Sequence, residues 1–223
     1  MAKRVLFTAF DTFSSGKPSD APGEEYMGKN NSWIRSYRDL QSKKVSVLDE
    51  GNAHDITQIY YRPGMARSPL MAGLGEDDQV YIRGHSLVGF DQIFAHSEFD
   101  ETGKRIHQSK MNRDLFYLLY AEAEPGSRAT KFSLSAATVV DRLAESGLSQ
   151  AFKGQIKCYN CHSAEGSPNF ATAMEEALSA KGFTACGVLG YKGALSSMYD
   201  GAHKSSTAGG RASENRVVIR AQA

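Results

Sequence analysis

Short apolar runs that alternate with helical stripes constrain the fold of this chain more than any other feature. Lys3–Phe10 is a β-rich apolar run, and Thr184–Leu189 is a second expected strand. Between them, Ser133 or Ser135 caps a segment whose apolar residues recur at helical spacing as far as Leu143. Strands that alternate with helices predict an α/β fold, with a mostly parallel central sheet and helices on both faces.

The remaining segments continue this alternation. We expect a helix over Phe170–Lys181, capped by Asn169 and stopped by Gly182, with Phe170, Met174, Ala177 and Leu178 facing inward. The other expected elements are a helix at Trp33–Leu40, strands at Lys44–Leu48, Val80–Ile82 and Arg216–Ala221, a strand or short helix at Asp55–Arg62, an exposed hairpin at Phe94–Lys110, and an apolar run of either type at Leu115–Ala121. Glycine- and serine-rich composition predicts loops at Asp11–Asn31, Pro63–Asp78 and Tyr191–Ser213.

Composition bounds the class of protein. The 223 residues are 41% hydrophobic and 23% charged, which predicts one globular domain over residues 1–223. A net charge of +1 argues against a general nucleic-acid binder, and no run approaches the roughly 20 apolar residues of a membrane span.

Cellular location is predicted from the first strand and the cysteines. Val5–Phe10 is shorter than the roughly 7–15 residues of a signal-peptide core and ends at Asp11. Three cysteines, an odd number, favour free thiols in a reducing compartment. We therefore expect a cytoplasmic protein, or one secreted by a route that needs no signal peptide.

Two apolar runs end on reactive side chains. Gln79–Ser86 ends in Gly-His-Ser, which brings His85 to the tip of an expected strand. Gln155–Ala164 brings Cys161 to a similar tip. Because parallel strands deliver their carboxyl ends to one edge of the sheet, the imidazole can serve as base to the thiol. The backbone N–H groups of Ser86 and Cys161 would then bind the oxyanion.

These tips resemble the catalytic strands of the caspase–gingipain clan of cysteine peptidases. In that clan one strand ends in Gly-His-Gly and the next parallel strand ends in the catalytic Cys. Phe132–Ala136, leading into a helix, and Gly89–Asp91 resemble the self-processing cysteine protease domains of large bacterial toxins. The resemblance covers about Gln79–Leu189. It departs from the clan at Ser86, where a Gly is usual.

The resemblance implies a caspase-like three-layer sandwich that cleaves a protein or peptide substrate. Cys161 would be the nucleophile and His85 the base or orienting imidazole. The loops Ser163–Asn169 and Tyr191–Ser213 would shape the substrate pocket. A bacterial effector or self-processing module is the implied setting. A small anionic activator is also implied, but no lysine pattern identifies its site, and no motif identifies a third catalytic acid.

A competing motif overlaps the second tip. Cys158-Tyr159-Asn160-Cys161-His162 matches the C-x-x-C-H string of haem attachment. Haem attachment needs export and a further ligand, and a redox C-x-x-C pair prefers a helix N-terminus. Zinc needs about four ligands, and this string supplies three at most. Adjacent residues of a strand point to opposite faces, so Cys161 and His162 would not easily bind one metal ion. We therefore expect no cofactor and no metal here.

Two alternatives to a cysteine peptidase remain open. Gly84–Gly89 resembles the G-x-S-x-G elbow of lipases, which would make Ser86 the nucleophile of a serine hydrolase or esterase. Val88 stands where the elbow normally has Gly, and a β-branched residue opposes that strained turn. The second alternative is a non-catalytic caspase-like module for binding or adhesion.

Overall fold

The computed structural model describes residues 2–10, 56–94, 133–200 and 203–222. Their elements are, in chain order, β1 (Arg4–Thr8), β2 (Ile56–Tyr60), α1 (Pro69–Ala72), β3 (Gln79–Arg83), β4 (Gln92–Phe94), β5 (Ser133–Ser135), α2 (Ala136–Glu145), β6 (Gln155–Tyr159), α3 (Phe170–Ala180), β7 (Gly187–Tyr191), β8 (Leu195–Asp200), β9 (His203–Ser206) and β10 (Arg216–Arg220). Strands and helices therefore alternate through the described part of the chain.

A six-stranded mixed sheet forms the centre of the fold, with strand order β10-β7-β6-β3-β1-β2. The strands from β7 to β2 run parallel, and β10 pairs with β7 in the antiparallel sense. The two-stranded sheets β4-β5 and β8-β9 lie outside it. The prediction of an α/β fold with a mostly parallel sheet is confirmed.

The central sheet has two chemically different faces. One, the helical face, carries Ile82 and Ile156 in a core to which α1, α2 and α3 all contribute buried residues. The other, the tyrosine face, carries a second buried cluster of Leu6, Tyr81, Tyr159, Tyr191 and Ala212. The described helices all pack on the helical face, so predicted helices on the opposite face would lie outside the described residues.

Both long helices begin where the sequence predicts. The Ser135 side chain accepts a hydrogen bond from the Thr138 N–H, so Ser135 rather than Ser133 is the cap of α2. Asn169 caps α3 through the Thr172 N–H. The inward residues predicted for α2 are buried. In α3, Ala171 is buried and Ala177 only partly so.

The loop predicted over Tyr191–Ser213 is wrong. Tyr191 ends β7, and β8 pairs with β9 in the antiparallel sense. Strand preference depends on context, so small polar residues can form a strand when a neighbouring strand provides backbone hydrogen-bond partners. The strand expected at Thr184–Leu189 begins later, at Gly187. A short helix, α1, interrupts the expected loop Pro63–Asp78.

Other expected elements are settled only in part. Asp55–Arg62 contains a strand, β2, rather than a helix. The predictions for Asp11–Asn31, Trp33–Leu40, Lys44–Leu48 and Leu115–Ala121, and for the hairpin beyond Phe94, lie outside the described residues. No helix in the described ranges has the length and apolar character needed to cross a bilayer.

The tyrosine face holds a buried lysine on β6. Lys157 is 6% exposed, and its amino group donates hydrogen bonds to Gln79 Oε1 at 2.9 Å and to Tyr81 Oη at 3.4 Å. Burial, together with the positive charges of Arg216 and Arg4, lowers the pKa of Lys157 from 10.5 to about 7. Protonation of this amine therefore opposes folding.

Replacing Lys157 by Met should remove a pH dependence of stability. The pKa of Lys157 is lower in the folded protein than in the unfolded chain. The unfolded chain therefore binds more protons between about pH 7 and pH 10.5, and the free energy of unfolding rises with pH over that range. The free energy of unfolding of Lys157→Met should exceed that of the original protein most at about pH 7 and below. This difference should shrink by a few kcal/mol towards pH 10. Urea denaturation across this range measures it.

Lys153→Met is the matched control, because it removes an exposed lysine from the segment just before β6. It should leave the pH dependence of unfolding unchanged. Identical pH dependences for Lys157→Met and the original protein would contradict the account.

Candidate active site

His85 and Cys161 follow two strands that are hydrogen-bonded neighbours. β3 and β6 run parallel in a continuous register that ends with Arg83 opposite Tyr159. Each candidate lies two residues beyond that last pair, after the carboxyl end of its strand. The Arg83 guanidinium lies 5.3 Å from the centre of the Tyr159 ring, so these two side chains share the tyrosine face.

Cys161 is the most accessible of the three thiols. It is partly exposed, whereas Cys158 and Cys186 are buried with no exposed surface. Burial raises the pKa of the Cys158 thiol far above its ordinary value. Burial also raises the pKa of Cys186, although Arg220 donates to its sulfur and partly offsets the effect. Only a thiolate is a good nucleophile, so the environment favours Cys161.

The Cys161 sulfur contacts the segment that follows β7. Leu195 N–H donates to Cys161 Sγ at 3.3 Å. The Leu195 side chain packs against the tyrosine-face cluster.

The Cys161 loop, defined as residues Cys161–Asn169, contains an imidazole–carboxylate pair. His162 has φ +55°, and its Nδ1 hydrogen-bonds with Glu165 Oε2. The same carboxylate oxygen accepts from Gly193 N–H at 2.8 Å, and His162 N–H donates to Gly193 O at 2.9 Å. The pair therefore fastens the loop to the segment that follows β7.

The electrostatics of Glu165 reflect this role. Partial burial alone would raise the pKa of Glu165, but the hydrogen bonds from Gly193 and His162 outweigh it and lower the pKa. Sequence reasoning missed the pair. The only sign of this pair in the sequence is a Glu placed three residues after a His in a turn, and that pattern is common.

Ser163 holds the Cys161 loop against β7. Its hydroxyl donates to Cys158 O at 2.7 Å and accepts from Tyr191 N–H at 2.9 Å. Ala164 N–H adds a bond to Tyr191 O at 3.0 Å. Ser163 has no exposed surface, so its hydroxyl satisfies two buried backbone groups.

The loops after β3 and β6 are in direct contact. Gly89 N–H donates to Glu165 O at 2.9 Å. Gly166 has φ +79°, and a Cβ there would lie 2.6 Å from Gly89 N. The close approach therefore requires glycine at 166. The contact joins the loop that follows His85 to the loop that begins at Cys161.

Ser86 lies beside the first tip but not in a lipase elbow. It is 3% exposed, and its Oγ has no hydrogen-bond partner in the described part of the chain. An elbow passes from a strand directly into a helix. Here the chain continues through a turn at Val88 and Gly89 into β4. Val88 is 49% exposed.

The two cysteines of the C-x-x-C-H string have different surroundings. Cys158 belongs to the core of the helical face, whereas Cys161 contacts Leu195 on the tyrosine side. Across residues 2–10, 56–94, 133–200 and 203–222, no group of three or more His, Cys, Asp and Glu side chains is placed to hold a metal ion.

No protein-family model matches the chain, and no curated protein compared with it is significantly similar. The functional assignment therefore depends on the geometry of the site.

Replacing Ser163 by Ala should destabilise the protein by about 1–3 kcal/mol, because Cys158 O and Tyr191 N–H would each lose a buried partner. Urea or thermal unfolding measures this loss. Ser213→Ala, at an exposed position, should change stability by less than about 0.5 kcal/mol. Equal stabilities for the two variants would show that the Ser163 hydroxyl does not anchor the loop.

Proposed function

We propose that this protein is a cysteine peptidase that cleaves peptide bonds with Cys161 as nucleophile and His85 as general base. The observation that carries the proposal is the parallel pairing of β3 and β6, whose register ends with Arg83 opposite Tyr159, two residues before His85 and Cys161. Parallel sheets bind ligands at this edge.

The chemistry follows from the two side chains. The imidazole takes the thiol proton as sulfur attacks the carbonyl carbon of the scissile bond. The C–N bond then breaks, and the imidazolium returns the proton to the leaving amine. Water, activated by the same imidazole, hydrolyses the thioester to a carboxylic acid and restores the thiol. The backbone N–H groups of Ser86 and Cys161 are the proposed donors to the oxyanion.

Three further features support a cysteine nucleophile. Cys161 is the exposed thiol of the three free cysteines, and Leu195 N–H points at its sulfur. The Cys161 loop and the loop after β3 pack on each other, which limits relative movement of the two tips.

The proposed class is the caspase–gingipain clan. The adjacency of a strand that leads to His and a parallel strand that leads to Cys is the arrangement expected for that clan. A bacterial effector or self-processing module in a reducing compartment is the proposed setting, since the three cysteines are free. The proposed substrate is a protein or peptide.

Hydrolysis of a diverse peptide mixture, read as new termini by mass spectrometry, tests the proposal. Cys161→Ala should abolish cleavage, and His85→Ala should reduce it by about 100-fold or more, because the thiol loses its base. Cys186→Ala removes a buried thiol just before the first residue of β7, at the end of the strand away from the proposed site. This variant should retain cleavage if it folds.

The remaining outcomes discriminate the alternatives. Loss of hydrolysis with Ser86→Ala but not with Cys161→Ala would replace the proposal by a serine hydrolase. Cleavage that survives both Cys161→Ala and His85→Ala would contradict the assigned site. A correctly folded protein that hydrolyses neither peptides nor esters would favour a binding module.

A further inference from the structure

Asn160 connects the two strand tips. It directly precedes Cys161, and its side-chain amide donates to Ile82 O at 3.3 Å and to Gly84 O at 3.1 Å. Gly84 directly precedes His85. The residue before the proposed nucleophile is therefore hydrogen-bonded to the residue before the proposed base.

The amide continues the pairing where the backbone ladder ends. The β3–β6 register runs as far as Arg83 and Tyr159. Beyond it, Asn160 N–H turns back to Cys158 O at 2.8 Å. The backbone donor of residue 160 is thus unavailable to β3. The side chain supplies two N–H donors in its place and holds the tips together past the last strand pair.

Packing around Gly84 fixes this contact in space. A Cβ on Gly84 would lie 2.9 Å from Ile93 Cβ and 3.1 Å from Asn160 Nδ2. Ile93 of β4 therefore covers one side of the glycine while the Asn160 amide contacts it as well. No larger residue fits at position 84 without displacing one of them.

Stability alone does not explain Asn160. The residue is 1% exposed, and its Oδ1 has no hydrogen-bond partner within the described ranges. Burying an unpaired carbonyl oxygen costs free energy. An unsatisfied buried polar group in a native structure calls for an explanation beyond packing.

We propose that Asn160 is a positioning residue that sets the distance between His85 and Cys161. The inference rests on the proposed function, since it assumes that these two side chains react as a pair. Without the amide, the tips past Arg83 and Tyr159 separate or shift. The imidazole then loses its alignment with the thiol, although both residues remain.

The test measures the rate at which iodoacetamide alkylates Cys161 as a function of pH, with peptide mapping to identify the site. Because the proposed base takes the proton of the thiol, the original protein should react at about pH 6 and His85→Ala should not. Asn160→Leu keeps the branched shape and removes both donors. It should lower the rate at about pH 6 by roughly 10- to 100-fold. The rates should converge near pH 10, where alkylation does not need the imidazole.

Two controls separate positioning from stability. Leu178→Ala destabilises the helical-face core on α3, away from the tips, and should leave the alkylation profile unchanged. Asn160→Ala is the second variant if Asn160→Leu does not fold, and it should show the same loss at low pH. Neither Asn160 variant replaces a charged or titratable group of the tips and adjoining loops, which among the described residues include Arg83, His85, Asp91, His162, Glu165 and Lys192.

The outcomes distinguish the inference from the function on which it rests. If His85→Ala removes the low-pH reactivity but the folded Asn160 variants retain it, the pair exists and Asn160 does not position it. If the original protein shows no low-pH reactivity that depends on His85, the proposed pair fails and the positioning role fails with it. Loss of reactivity in Leu178→Ala equal to that in Asn160→Leu would reduce Asn160 to a structural residue.

Discussion

The parallel pairing of β3 with β6 is the interaction on which the site depends. Its register aligns Arg83 with Tyr159, two residues before His85 and Cys161. Because side chains alternate along a strand, a slip of one residue would turn Tyr159 towards the helical face. Apolar residues such as Ile82 and Ile156 fix the register on that face. On the other face, Lys157 donates to both Gln79 and Tyr81 across the same pair of strands.

A third strand supports the loop that carries the proposed nucleophile. Ser163 joins the end of β6 to Tyr191 of β7, and Glu165 accepts from the N–H of Gly193 beyond β7. The backbone N–H of Leu195, the first residue of β8, donates to the Cys161 sulfur. The Cys161 loop is therefore held by contacts to β6, β7 and the segment that follows β7. Such support from rigid elements is what a catalytic geometry needs, since small displacements cost much of the rate.

The sequence predicts the parts of this arrangement that follow from local pattern. Apolar runs locate β1, β3 and β6, and cap residues such as Asn169 locate the helices, because burial and N–H satisfaction leave clear signals. The tips at His85 and Cys161 were predicted for the same reason. The hairpin of β8 and β9 was missed because its strands carry small polar residues and owe their form to pairing. The amide of Asn160 was missed because its partners are backbone groups far along the chain. The carboxylate of Glu165 was missed because it joins a nearby side chain, His162, to a distant backbone group, Gly193 N–H.

Mapping the covalent adduct of a peptidyl halomethyl ketone tests the central claim most directly. This electrophile traps the nucleophile that attacks a bound peptide carbonyl. The account predicts one adduct, on Cys161, which forms in the folded protein and is lost in His85→Ala, while the buried Cys158 and Cys186 stay unmodified. An adduct on Ser86, equal modification of all three cysteines, or labelling of Cys161 at the same rate without His85 would contradict it.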